Sequence, residues 1–259
     1  GMFDYLRQDP QGFLMFMLYR APAVLLALTF HEVAHGYVAL RSGDPTAQML
    51  GRLSLNPLKH LDPIGTLSMF IMGFGWAKPV PVNPNNFRRG SRDDLLVSLA
   101  GVTTNMILFI VSTLLAIIVG LFMYEPQALK ALGGMAFFLD FDAQGFTLQL
   151  FPEYSGVVAP VLKTPWLLHV QRFLLHFSMI NLGLCLFNLL PIPPLDGFHV
   201  VNDLLLKGRL QLSGQVFRFA QLALIVLMFS TNIMGRIVSA GMDAVQSVVL
   251  GGLLKVFGV

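Results

Sequence analysis

Residues 31–35 read His31-Glu32-Val33-Ala34-His35, inside one of the most apolar stretches of the chain. The run Ala23-Val24-Leu25-Leu26-Ala27-Leu28-Thr29-Phe30 leads into them, and no charge falls between Arg20 and the motif. Positions i and i+4 share a helix face, so His31 and His35 can offer two imidazoles to one metal ion, with Glu32 beside it as a general base. At ordinary residue usage a chance His-Glu-x-x-His arises in roughly one chain in a hundred of this length. The surroundings sharpen the signal. An ionisable group at membrane depth costs about 2.5–3.5 kcal/mol on insertion scales, so three within one turn call for a function. The competing interpretation, two hydrogen-bonded core histidines and an unrelated glutamate, must hide all three in a bundle interior.

The chain has 259 residues, 55% hydrophobic and 12% charged, with a mean hydropathy of +0.68. Soluble domains carry about 25% charged residues, so the expectation is a multi-pass membrane protein. Gly1 ahead of Met2 reads as an expression remnant. The net charge of +3 sits in particular loops, which is an orientation signal and no sign of nucleic acid. The single Cys185 cannot form an intrachain disulfide and reads as a packing residue.

Five segments are apolar and long enough to enter a bilayer, near 13–42, 95–123, 166–190, 214–231 and 233–257. Arg236, Asp243 and Gln246 make the last the weakest, able to span or to lie at the interface. Pro22 can begin the first span or kink a longer one. The expected fold is a membrane all-α bundle of about four to six helices, forming a single membrane-embedded domain over residues 1–259. The 43–94 connection holds Arg52, Lys59, Lys78, Arg88, Arg89 and Arg92, and the 191–213 connection holds Lys207 and Arg209. The 124–165 connection has only Lys130 and Lys163 against Glu125, Asp140, Asp142 and Glu153. The positive-inside rule makes the first and third cytoplasmic and places the N-terminus outside. At 1.5 Å per residue, His35 and His31 then lie about 10 and 16 Å beneath the cytoplasmic face, with Gly101 and Asn105 at about 9–15 Å.

A hydrolytic zinc site needs three protein ligands and an open position. Asp196 is the best-placed carboxylate, because Pro193 and Pro194 end the third span and can turn it back into the bundle. Pro-x-Asp-Gly is also ordinary turn chemistry, and spacing alone leaves ligand and turn evenly matched.

His31-Glu32-x-x-His35 together with Asn188-x-x-Pro191-x-x-Pro194-Leu195-Asp196-Gly197 resembles the site-2 protease family of intramembrane zinc metalloproteases. Ala100-Gly101-x-x-x-Asn105 and Trp76-Ala77-Lys78-Pro79-Val80-Pro81-Val82-Asn83 resemble the family's segments beside its active site. The likeness spans residues 25–200 and is to a compact form, without a PDZ or CBS-type domain in this sequence. It implies His31, His35 and Asp196 as ligands of one Zn2+ and Glu32 as the catalytic residue. It further implies a metalloendopeptidase that cuts transmembrane polypeptides in the lipid bilayer. The expected setting is a bacterial-type plasma membrane, with the active site toward the cytoplasmic face.

Asn105 and Asn188 are candidates to hold the substrate backbone or an oxyanion, although interhelical hydrogen bonding is the commoner use. His199 can support Asp196 from behind or lie at the interface. Pro79 and Pro81 lack their N–H on one side of an extended chain, so Pro79, Val80, Pro81 and Val82 are candidates to bind substrate at a sheet edge. Met49-Leu50-Gly51-Arg52-Leu53-Ser54-Leu55 alternates like a strand. The expectation is a small membrane-associated β-sheet, or a re-entrant segment, between the first and second core helices. The alternative functions are a metal-ion transporter and a non-catalytic relative that binds membrane helices.

Overall fold

The computed structural model describes residues 2–63, 65, 77–210 and 212–259. Among them, four helices are long and apolar enough to cross a membrane: α1 (Pro10–Ser42), α2 (Ser91–Met123), α3 (Leu167–Asn188) and α6 (Ile233–Phe257). Between α3 and α6 lie α4 (Asp196–Leu206) and α5 (Gly214–Ser230). The weakest of the expected spans, 233–257, is thus a full-length helix, whereas α5 is the short one.

The ends of α1 are written in the sequence. Asp9 Oδ1 accepts the N–H of Gly12 at 2.9 Å, and Pro10 occupies the first turn, where a missing N–H costs nothing. At the other end Gly43 adopts φ 110°, open to glycine, while the N–H groups of Gly43 and Asp44 return to the carbonyls of Leu40 and Ala39. Pro22 lies inside this helix and does not begin it.

The core is α2 packed against both α1 and α3. Small residues let the backbones approach: Ala23, Ala27, Ala39 and Gly101 are buried on α1 and α2. One polar residue sealed between the helices is well paired. Gln171 accepts from Tyr124 and from Gln149, both at 2.7 Å, and donates to the Ala116 carbonyl at 2.9 Å. The 124–166 connection folds short helices over one end of the bundle, burying Tyr124, Met135, Phe138 and Phe146 against Phe13 and Phe16 of α1.

The expected β-sheet does not form among the described residues. Thr46–Met49 is a helical turn and Gly51 has φ 64°, so the alternation of 49–55 is broken at its start. Residues 78–83 form no strand, and most of their donors point elsewhere or are missing. Val80 N–H goes to Glu32 Oε2, Asn83 N–H to Asp44 Oδ2 and Lys78 N–H to the His60 carbonyl. Pro79 and Pro81 have none, which removes two more ladder donors. An isolated antiparallel bridge, Leu61 with Ala77, marks the entry to this strip. Trp76 and most of any re-entrant segment lie outside the described residues.

Candidate metal centre

His31 and His35 occupy one face of α1 and meet α2 where Gly101 permits contact. A Cβ on Gly101 would come within 2.5 Å of both His31 Cε1 and His35 Nε2. α3 ends at Asn188, and the Pro191–Pro194 segment reverses the chain into α4, whose first residue is Asp196. Gly197 lies so close to the Leu189 and Leu190 carbonyls that a Cβ there would collide with them. The glycine of the Asp-Gly pair is therefore required by backbone crowding as well as by turn chemistry.

The ring orientation of both histidines is fixed from behind. His31 Nδ1 is 2.6 Å from Asn105 Oδ1, and His35 Nδ1 is 2.7 Å from the Val97 carbonyl. Asn105 Nδ2 donates to Asn181 Oδ1 at 2.8 Å and to the Ala27 carbonyl at 3.3 Å, which sets its amide orientation. Both histidine partners are carbonyl oxygens, so each Nδ1 carries the proton and each Nε2 presents a lone pair.

These lone pairs face a third acceptor. His31 Nε2 and His35 Nε2 are 3.0 Å apart, and each is 3.3 Å from Asp196 Oδ2. That oxygen is buried with no hydrogen-bond partner. Two imidazole nitrogens and a carboxylate oxygen turned toward one another make a ligand set for a cation. A tetrahedral Zn2+ with nitrogen and oxygen ligands at about 2.0–2.1 Å separates neighbouring ligands by about 3.3–3.4 Å, close to the spacing seen here. The residues fit zinc.

Glu32 lines the same cavity as the three donors, a space of about 600 Å³. Its Oε2 accepts the Val80 N–H at 2.7 Å. Pro79, Val80, Val82 and Asn188 also line this cavity, and Pro81 does not. Asn188 Nδ2 donates to the Leu184 carbonyl at 3.0 Å. Asn105 is fully buried behind His31.

Three features beside the centre were not foreseen from the sequence. Asn181 completes the Asn105 chain, and its spacing of seven from Asn188 on α3 was a usable signal. Asp44 is buried after α1 and holds the strip, accepting from Asn83 N–H at 2.7 Å, Asn86 Nδ2 at 2.8 Å and Thr46 Oγ1 at 2.5 Å. Burial would raise its pKa, but these donors prevail and hold it below the ordinary carboxylate value. Asp94 pairs with His199 at 3.2 Å inside the cavity wall. The contact with Asp94 raises the pKa of His199 against the opposing effect of burial.

The fold and site together define a membrane-embedded metallopeptidase. Residues 19–231 match Peptidase family M50, the site-2 protease family, and the chain belongs to it. It is 32% identical over 235 residues to the Bacillus subtilis (strain 168) protein named "Putative zinc metalloprotease YwhC", covering 90% of this chain and 91% of that one. It is 27% identical over 135 residues to "Putative zinc metalloprotease Rip2" of Mycolicibacterium smegmatis, about half of each chain. No solved structure matches the chain. The protein is thus a zinc metalloprotease and an integral membrane protein.

Proposed function

We propose that the protein is an intramembrane zinc endopeptidase that hydrolyses a peptide bond in or near a transmembrane segment of a membrane-protein substrate. The observation that carries this reading is the triangle of acceptors formed by His31, His35 and Asp196, with Glu32 opening into the same cavity. His31, His35 and Asp196 would hold Zn2+. When bound, zinc supplies Lewis acidity, polarising a carbonyl and making water more acidic. Asn105 and the Val97 carbonyl keep the two Nε2 lone pairs aimed at the site. Glu32, held by the Val80 N–H, takes a proton from the attacking water and passes it to the leaving amine. Pro79, Val80, Val82 and Asn188 form the cavity wall that meets the substrate, while Asn105 acts through His31.

The loop charges support a site toward the cytoplasmic face, within reach of water. A helical substrate keeps its carbonyls in hydrogen bonds, so it unwinds locally before attack. A transporter would want ligands along a path to both faces, whereas these gather at one place.

The test is cleavage of a transmembrane peptide by the purified protein in lipid nanodiscs. The wild type should bind about one zinc per chain and cut, and Glu32→Gln should keep the metal and not cut. Asp196→Ala should lose zinc. Cleavage at the normal rate by Glu32→Gln would overturn the reading.

A further inference from the structure

One polar dyad in the cavity wall is unused by the chemistry above. His199 follows Asp196 by three residues on α4, so the two side chains share a helix face. Both line the cavity that holds Glu32. His199 Nδ1 lies 3.2 Å from Asp94 Oδ2 at the start of α2. With Nδ1–H directed to that carboxylate, Nε2 is the outward edge of the ring, and no described residue hydrogen-bonds it. The ring is stacked on Phe217 at 5.9 Å and meets Phe198 edge-on at 5.5 Å, which restricts its rotation. It also borders a second cavity of about 480 Å³.

Behind Asp94 stands Asp203, buried and held by the Ser91 hydroxyl at 2.8 Å. Burial and the neighbouring Asp94 raise the pKa of Asp203. The groups facing His199 are Asp94 from α2, Asp196 and Asp203 from α4, and, across the cavity, Glu32, His31 and His35 from α1 and Asp62 from the connection after it. Lys207 lines the adjoining cavity, and α5 contributes the uncharged Phe217 and Gln221.

We propose that His199, oriented by Asp94, is a further catalytic residue that donates a hydrogen bond from Nε2–H to the scissile carbonyl oxygen as negative charge develops there. The inference rests on the peptidase reading. No bond to His199 forms or breaks. Its proton stays on Nε2 while Glu32 carries the water's proton to the leaving amine. A charged donor is the stronger one, so the contribution is present while His199 is protonated and is lost as pH rises through its folded pKa.

The test uses the full chain in nanodiscs with one transmembrane peptide. His199→Leu, which has no donor, should keep zinc and KM and lose about 10²–10³-fold in kcat, the usual effect of deleting such a donor. Asp94→Asn should move the alkaline limb of the kcat profile to lower pH. Independently of turnover, NMR of histidine-labelled protein should show His199 titrating above the ordinary value of about 6.5, and lower in Asp94→Asn. The inference is overturned by wild-type kcat in His199→Leu, by a loss lying wholly in KM or in zinc content, or by an alkaline limb that Asp94→Asn does not move. A His199 that titrates at or below the ordinary value overturns it too. If His199→Leu does not fold, the Asp94→Asn profile and the titration decide. Absence of Glu32-dependent cleavage by zinc-loaded wild type would instead remove the peptidase reading and this inference with it.

Discussion

Glu32 Oε2 accepts the backbone N–H of Val80 at 2.7 Å, across 48 residues of sequence. Pro79 and Pro81 carry no N–H, so Val80 supplies the only amide donor in this tripeptide. The contact fixes the carboxylate of the proposed base through a strip that Asp44 in turn anchors to the end of α1.

Removing that one donor should disturb catalysis without disturbing the metal. Val80→Pro deletes the N–H, and Val80→Ala keeps it. Val80→Pro is expected to lose about 10–100-fold in kcat, the scale of a base displaced by about an ångström, with zinc content unchanged. Val80→Ala should stay within a few-fold of wild type. Parallel metal analysis and peptide cleavage separate the two, and equal losses in both variants would deny the amide its role.

The metal face of α1 is legible in the sequence because two histidines at i and i+4, with a glutamate between them in an apolar run, suit a metal far better than they suit lipid or a dry core. Asp196 is legible only in part, since a carboxylate after prolines reads equally as a turn until its neighbours are placed. The strip at 78–83 departs from the expected strand pairing. Its alternating prolines do suit an edge strand, but the Val80 and Asn83 donors are captured by Glu32 and Asp44, and side-chain capture of backbone leaves no periodic trace. Asp94 has the appearance of a helix-start carboxylate, and only the fold sets it against His199, 105 residues away.

Gly101 is the close-approach point of α2 on the metal face, and its substitution should empty the site. Gly101→Ala places a methyl within 2.5 Å of both imidazoles, so either the helices part or the rings turn away. The expected outcome is zinc occupancy reduced by tenfold or more, on the scale of disturbing the groups that orient metal ligands, with cleavage lost in proportion. Gly251→Ala, where a Cβ would meet nothing within 4 Å, should be neutral. Undiminished zinc binding by Gly101→Ala would show that α1 and α2 can separate freely there.

Asp44 should give the protein an acid-sensitive anchor. Its pKa is depressed in the fold, so the stabilisation is complete above the unfolded value of about 3.9 and is lost as pH falls from there toward the folded value. Asp44→Asn should cost about 1–3 kcal/mol at neutral pH, because buried donors lose a charged acceptor. It should also flatten the decline in thermal stability of the wild type on acidification below about pH 4. Melting curves across that range in one detergent provide the check. A variant that declines as steeply as wild type would place the acid sensitivity elsewhere.

The charge asymmetry of the connections predicts on which side of the membrane this chemistry happens. Asn85 lies in the basic connection, a few residues beyond the Val80 contact to Glu32, and Gln144 lies in the acidic connection that caps the other end of the bundle. Both are exposed. In a Cys185→Ser background, a cysteine at position 85 should react with an impermeant maleimide only from the cytoplasmic side, and one at position 144 only from outside. Because residues 78–86 are tied to Glu32 and Asp44, and Pro84 lines the metal cavity, labelling at position 85 reports the side of the membrane nearer that cavity. The reverse pattern would invert the bundle, place the site beneath the outer surface, and overturn the depth argument built on Arg52, Lys59, Lys78, Arg88, Arg89 and Arg92.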